Sequence, residues 1–427
     1  MDSTVYFYKG ENNMRTMQIL STIQMLLSFL LMFYSIYQLV IWAFAYIKPA
    51  ERKKIINKKH RFMAVISARN EEQVIANLIE SLRHQNYPED KLDVYVIADN
   101  CTDNTASVAR EAGAIVYERF NEIKKSKGYA LEWFFDIVLE EFPDKYDAFC
   151  IFDADNIVSP DFFEKMNDKL CEGETIVQGY RDIKNPGDNW ISANYALFYW
   201  TMNRCYHYSR YKLGLAPMIN GTGFMVAMTV LKEENGWHTE TLTEDTEFSL
   251  KSVAKGRRVA WAHDAVIYDE QPTILSQAWN QRLRWGVGNI QCLKACLPEF
   301  VKVKKVTPAV IDACIFLMGM PIVIVSIVAS FLNFIQIWAM PMKQGLSVIQ
   351  DKIEFSLLFI IISIIQALAI VLLEKKDLKK VWHGVLTYPF FLGICFVVNV
   401  AAFFNRKMTW RPIKHVSNVK IKDIQGK

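Results

Sequence analysis

The sequence predicts an α/β fold, a mostly parallel sheet with helices on both faces, combined with α-helical transmembrane segments. Three observations carry this expectation. Apolar β-prone runs alternate with amphipathic ones from residue 62 to 155, the order that builds a parallel sheet. Long apolar runs lie on either side of that region. Stretches that read as buried strands end in carboxylates, as in YDAFCIFDADN, residues 146–156, and ligands of such sheets sit beyond the carboxyl ends of the strands.

The chain has 427 residues, 52% of them hydrophobic, which is enough for a large soluble domain and a membrane part. The net charge of +4 gives no reason to invoke nucleic acid. Residues 16–47 carry no charge. A bilayer core takes roughly 20 apolar residues of helix, so this run can span it with tilt. It exceeds the apolar region of a signal peptide and has no basic segment before it, so residues 1–50 read as an uncleaved anchor. Three further apolar stretches follow in 307–405. One lies within 309–340, where only Asp312 is charged and Pro321 suggests a kink. The others are 355–373 and 384–404, the last containing Pro389. Residues 51–306 have ordinary charge density and read as one catalytic domain.

The Lys/Arg bias sets the orientation. KPAERKKIINKKHR (48–61) is strongly basic and the segment before the anchor is nearly balanced. The N-terminus is therefore expected outside and the domain in the cytosol, in a multi-pass protein of the plasma membrane. The tail, 406–427, is also basic, yet three crossings after a cytosolic domain would leave it outside. Either one apolar segment is interfacial or re-entrant, or the 309–340 run holds two short crossings. The eight cysteines form no CxxC, so a zinc site is not expected. NCT (100–102) and NGT (220–222) match the glycosylation pattern, which a cytosolic location makes accidental.

The elements follow in order. FMAVISA (62–68) reads as a strand, and NEEQVIANLIESLRHQ (70–85) as an amphipathic helix with Val74, Leu78 and Leu82 on one face. DVYVIAD (93–99) is a strand, and NTASVAREAG (104–113) a helix closed by Gly113. AIVYER (114–119) is a strand, KGYALEWFFDIVLEE (127–141) a helix and AFCIFDAD (148–155) a strand. Asp99, Asp153 and Asp155 then converge on one crevice. Neither GxGxxG nor GxxxxGK[ST] is present, so a dinucleotide fingerprint and a P-loop lack support.

Side chains alternate along a strand, so Asp153 and Asp155 are expected to point the same way. Two close carboxylates need a positive charge between them. Oxygen ligands suit Mg²⁺ or Mn²⁺, held together with the phosphates of a nucleotide; a solvated acidic turn is the plainer alternative. In TLTEDTEFSL (241–250), Thr243 can cap a helix with Glu244 and Asp245 in its first turn. The functional alternative makes Asp245 a general base. On a helix over 275–297, Gln281, Arg284 and Trp285 share a face. Arg suits a diphosphate and Trp the apolar face of a sugar. The same helix also suits a position along the membrane surface.

These motifs, SARNEE (67–72), IADN (97–100), FDADN (152–156), NGTGF (220–224), LTED (242–245) and QRLRW (281–285), together resemble the processive membrane-bound family 2 glycosyltransferases: the cellulose, chitin, hyaluronan and poly-N-acetylglucosamine synthases. The resemblance runs from about Phe62 to Leu297. It implies a GT-A fold, a UDP-sugar donor, a glycan or lipid acceptor, and Mg²⁺ or Mn²⁺. Glu71 and Asp99 would face the uridine, Lys127 the phosphates, Asp153 the nucleotide and Asp155 the metal. Asp245 would be the base, with Glu244 beside it on the acceptor side. Gln281 and Arg284 would hold the diphosphate and Trp285 the acceptor, with Gly221 and Gly223 letting backbone approach the sugars. The implied activity is inverting elongation of a β-linked polysaccharide at the cytosolic membrane face. Addition of one sugar to a lipid or short acceptor is the enzymatic alternative, and an inactive partner subunit the non-enzymatic one. A transporter without chemistry lacks the buried membrane charges such sites need. The pattern departs from the family in its single N-terminal span and in lacking an aromatic residue in SARNEE. About four spans make a thin wall for a polymer, which implies an export subunit or a homo-oligomer.

Overall fold

The structure, a computed structural model, describes residues 3–46, 58–405, 419–421 and 423. Residues 48–57 of the basic stretch and most of the basic tail lie outside them.

Eight strands form one sheet: β1 (Phe62–Ala68), β2 (Leu92–Asp99), β3 (Ile115–Arg119), β4 (Ala148–Asp153), β5 (Ile157–Val158), β6 (Ile176–Ile183), β7 (Phe224–Ala227) and β8 (Val259–Asp269). Their spatial order is β3-β2-β1-β4-β7-β6-β8-β5. The first half matches the expected parallel pattern, with β3, β2, β1 and β4 all parallel. The second half does not. β7 runs antiparallel to both β4 and β6, and β5 antiparallel to β8, while β6 and β8 pair in parallel. The sheet is mixed because β7, which follows the helical segments from Trp190 to Lys212, enters between β4 and β6 against their direction.

Alternate residues of β1 supply two separate cores. Met63 and Val65 pack with Phe134, Phe135 and Trp237 on one face. Phe62, Ala64 and Ile66 pack with Leu78, Leu82 and Phe163 on the other. This two-residue period is why FMAVISA is apolar throughout: both of its faces are covered.

Helix boundaries follow sequence signals with local departures. Lys127–Glu141 begins behind Ser126, whose side chain accepts from the Tyr129 amide. Gly113, at φ +91°, follows Thr105–Glu111. The amphipathic helix starts only at Ile75, because Asn70 at φ +58° and a turn from Glu71 to Val74 precede it. Val74, Leu78 and Leu82 are buried as expected.

Four described helices are long and apolar enough to cross a membrane: Arg15–Tyr46, Gly319–Ala339, Met342–Leu373 and Leu378–Phe404. The 309–340 run divides at Met318 into Pro308–Leu317 and Gly319–Ala339. Pro308–Leu317, at 10 residues, rises only about 15 Å, too little for a crossing. Pro321 sits in the first turn of the second helix, where proline is tolerated, and not at a mid-helix kink. Arg15–Tyr46 packs along Gly319–Ala339, and Met342–Leu373 along Leu378–Phe404. Leu378–Phe404 also runs against Trp190–Thr201 and Leu275–Val301 of the domain.

Candidate active site

A cavity of about 680 Å³ opens at the carboxyl ends of β1, β2 and β4. At one end stand Ser67, Arg69, Glu71, Asp99 and Lys125. Asp99 closes β2 and is buried; Arg119 Nη1 donates to its Oδ1 (2.5 Å) and Asn100 Nδ2 donates to the same oxygen (2.9 Å). The Glu71 amide donates to Thr105 Oγ1 (2.8 Å), which ties the turn after β1 to the helix Thr105–Glu111 that follows β2.

Asp153 ends β4. Its amide donates to Thr222 Oγ1 (3.0 Å), and its carboxylate accepts from Lys127 Nζ. Lys127 also donates to the Gly221 carbonyl (2.6 Å). Burial alone would lower the Lys127 pKa, but Asp153 and Glu244 outweigh it and raise it, so this lysine stays charged among carboxylates.

Asp153 and Asp155 line the same cavity, but only Asp153 belongs to the strand whose alternation led one to pair them. β4 ends at Asp153, where the Asn156 amide turns back to the Asp153 carbonyl (3.1 Å). Asp155 therefore sits in a turn. It is buried, its Oδ2 accepts from the Glu270 amide (3.2 Å), and it faces Asp269. Asp269 is held by Arg181 Nε (2.8 Å). Burial first, eased by Arg181 and worsened by Asp155, pushes the Asp269 carboxyl up to about 7. Among the described residues, no three His, Cys, Asp or Glu side chains are grouped to hold a metal by themselves. Mg²⁺ in nucleotide sites takes one or two carboxylates and completes its shell with phosphate and water. Asp155, buried against a second carboxyl that resists ionisation, fits a cation held in that way.

Glu244 and Asp245 open the helix Glu244–Ala254. Thr243 occupies the cap position, but its Oγ1 turns to Cys292 Sγ (3.2 Å) instead of capping. The Thr246 amide donates to Asp245 Oδ1 (2.7 Å). Asp245 Oδ2 lies 3.6 Å from where a Cβ on Gly221 would stand. Burial raises both carboxyls. Glu244 reaches about 7 through burial and then Asp245, with Lys127 and Arg284 opposing.

Gln281, Arg284 and Trp285 line the cavity from Leu275–Val301. The Trp285 ring stacks on Phe198 (6.4 Å, 20°) and meets Tyr195 and Tyr199 edge-on. Gly221, at φ +88°, lines the cavity too. Gly223 does not, which corrects its expected place beside the sugars. Its amide donates to the Ile151 carbonyl (2.8 Å), and a Cβ there would meet Ile267 Cγ1 at 2.7 Å. Its φ of +63° serves the close approach of the backbone just before β7 to Ile267 of β8.

Sequence reasoning missed Arg119, Arg181 and Asp269, although each is a charged residue in or ending an apolar strand. It also missed the aromatic wall of Phe198, Tyr199 and Tyr206, on helical segments from Trp190 to Lys212 that no motif had marked.

Residues 60–288 match the family described as "Glycosyltransferase like family 2", and the chain belongs to that family. Across 91% of this chain and 98% of the other, the structure is similar to the mannosyltransferase PcManGT from Pyrobaculum calidifontis, solved with GDP-Man and Mn²⁺, at a TM-score of 0.62 and 16% identity; the fold is GT-A. A poly-beta-1,6-N-acetyl-D-glucosamine synthase of Staphylococcus epidermidis is 24% identical over 395 residues, 87% of this chain and 91% of that protein. A beta-monoglucosyldiacylglycerol synthase of Nostoc sp. is 26% identical over 254 residues, 57% of this chain and 52% of that protein. The chain thus spans about half the length of some of the curated relatives it matches.

Proposed function

We propose that this protein is an inverting hexosyltransferase that uses a UDP-sugar to elongate a β-linked polysaccharide at the cytosolic face of the plasma membrane. The observation that carries this reading is a single cavity. It holds Asp99 at one end and Asp245 with Arg284 in the middle, and its aromatic wall stands beside helices that continue into apolar ones.

In this reading Asp99 and Glu71 face the base and ribose, and Arg284 and Gln281 face the diphosphate. Asp245 takes the proton of the acceptor hydroxyl as that oxygen attacks the anomeric carbon, and the bond to UDP breaks on the opposite face, which inverts the centre. General-base help of this kind contributes on the order of 10²–10⁴ in rate. Arg284 meets the charge that grows on the departing diphosphate. Asp155, with Asp153 near it, would hold Mg²⁺ or Mn²⁺, which when bound neutralises phosphate charge. Lys127 keeps Asp153 and the Gly221 carbonyl in register. Trp285 offers a face to the acceptor sugar.

The Staphylococcus relative, similar along nearly its whole length, favours the polymer. The Nostoc relative, named for glycosylating a diacylglycerol, favours a single addition to a lipid, as does the place of Phe316, from the short apolar helix, at the cavity wall. The purified protein, given each UDP-sugar with Mg²⁺ or Mn²⁺, is expected to release UDP and lengthen a labelled product. One labelled sugar on lipid and nothing longer would reject the polymer, and no UDP release from any donor would reject glycosyl transfer.

The packing also supports a topology. Leu378–Phe404 contacts the domain near both of its ends, and Lys420 Nζ lies 3.3 Å from Glu80 Oε2 on the helix Ile75–Arg83. In this reading the last apolar helix lies at the membrane surface and the basic tail is cytosolic. Three crossings then remain, too few to enclose a polymer, so an export subunit or a second copy accompanies the enzyme.

A further inference from the structure

A charged pair lies buried between the cavity and the anchor helix. Arg210 and Asp312 are each 1% exposed, with Arg210 Nε donating to Asp312 Oδ2 (3.0 Å). The anchor completes the network: Tyr37 Oη donates to Asp312 Oδ1 (2.7 Å) and Arg210 Nη2 donates to Gln38 Oε1 (3.1 Å). Three chain segments far apart in sequence therefore meet at one ion pair.

The pair stands directly behind the cavity wall. The Arg210 guanidinium lies 3.8 Å over the ring of Tyr206, and that ring packs against Phe316 at 6.1 Å. Tyr206 and Phe316 both line the cavity, in the aromatic part shared with Phe198, Tyr199 and Trp285. Each sits four residues from its charged partner, Tyr206 before Arg210 and Phe316 after Asp312, so each shares a helical face with it. Tyr206 lies in the π-helical stretch Met202–Tyr208, a geometry that is rare and found often at functional sites.

Stability explains this pair poorly. Burying two charges costs desolvation that their attraction barely repays, and apolar replacements of such pairs are often neutral or better. What an ion pair with two further hydrogen bonds supplies is a fixed geometry. We infer that Arg210 and Asp312 are positioning residues for the acceptor: the pair, oriented by Tyr37 and Gln38 of the anchor, fixes Tyr206 and Phe316 as the wall against which the acceptor rests. This rests on the reading that an acceptor occupies the aromatic end of the cavity.

The test uses the full-length protein in detergent, the UDP-sugar found active in the donor screen, and the pentasaccharide of the same sugar as acceptor. UDP release is measured while each substrate is varied. Asp312→Asn is expected to raise the acceptor KM about tenfold, and Tyr37→Phe, which leaves the ion pair intact, about two- to threefold. The donor KM and the acceptor-free release of UDP should stay within about twofold in both. Arg210→Lys, which keeps the charge and loses the planar contact with Tyr206, should resemble Asp312→Asn. Unchanged acceptor KM values overturn the inference even if the melting temperature falls, since a purely structural pair changes the active fraction and no KM. A parallel rise of donor and acceptor KM overturns it as well. Should Asp312→Asn not fold, Tyr37→Phe alone decides. No UDP release from the unsubstituted protein overturns the glycosyltransferase reading and this inference with it, an outcome distinct from normal turnover with unshifted variants.

Discussion

Glu244 and Asp245 are neighbours in the chain and in the cavity, and pH separates their roles. Burial raises both carboxyls, Glu244 to about 7. A base works when deprotonated, so activity is lost as pH falls through the base's pKa. With Asp245 as the base, the acid limb of kcat/KM should centre above the ordinary aspartate value of about 3.9. That limb should persist in Glu244→Gln, whereas Asp245→Asn should lower kcat by about 10²–10⁴ and leave the donor KM nearly unchanged. The reverse pattern would move the base to Glu244. Residues of this kind were legible because each belongs to a short motif: FDADN, LTED and QRLRW name positions that line one cavity. Arg119, Arg181 and Asp269 were not. Arg119 holds Asp99 and Arg181 holds Asp269, each across from one strand to another, and such a partner cannot be read along a single strand.

At the scale of elements, the first four strands were readable because each holds a compact apolar run, and the first three have a helix after them. The later ones were not. β6 reads IVQGYRDI, polar at Gln178, Arg181 and Asp182, yet every residue of it is buried. Its polar groups are satisfied from neighbouring elements, with Gln178 Nε2 donating to the Thr222 carbonyl (3.0 Å) and Trp200 Nε1 donating to Asp182 Oδ1 (2.8 Å). Gly221 and Gly223 looked alike in NGTGF, but the fold uses them differently, and substitution should separate them. Gly223→Val adds a strained left-handed backbone to a collision with Ile267, each worth about 1–3 kcal/mol. The expected loss of roughly 2–6 kcal/mol should appear as a lower unfolding temperature in detergent. Gly221→Ala carries the same left-handed strain at φ +88° but no collision, only ordinary contacts near Asp245 and Arg181. It should therefore cost only about 1–3 kcal/mol while also lowering turnover, and an equal loss of stability in the two variants would refute this division.

For the whole molecule, the open question in the sequence was parity: a basic tail on the wrong side of three crossings. A 27-residue helix such as Leu378–Phe404 is about 40 Å long, so if it crossed, its far end would stand a bilayer's thickness of roughly 30 Å away from the domain. Instead it touches the domain along its length. Lys376, just before it, donates to Asp182 Oδ2 (2.6 Å), and Asn194 Nδ2 donates to Thr387 Oγ1 (2.8 Å). Gly384 is pressed against Ala193, Phe391 packs on Tyr195, and Ala402 lies against Gly286. Asn405, just past its end, lines the cavity itself. Hydropathy does not separate a span from a helix lying between an apolar domain face and lipid, since both are apolar all round. A reporter fused after Lys427 should therefore behave as cytosolic, fluorescent as a folded β-barrel protein and inactive as an alkaline phosphatase. A cysteine placed at Met340, between the two preceding helices, should react with an impermeant maleimide added from outside, while one at Lys376 should not. Phosphatase activity at the C-terminus would restore the third C-terminal crossing and separate the tail from the side where the cavity opens.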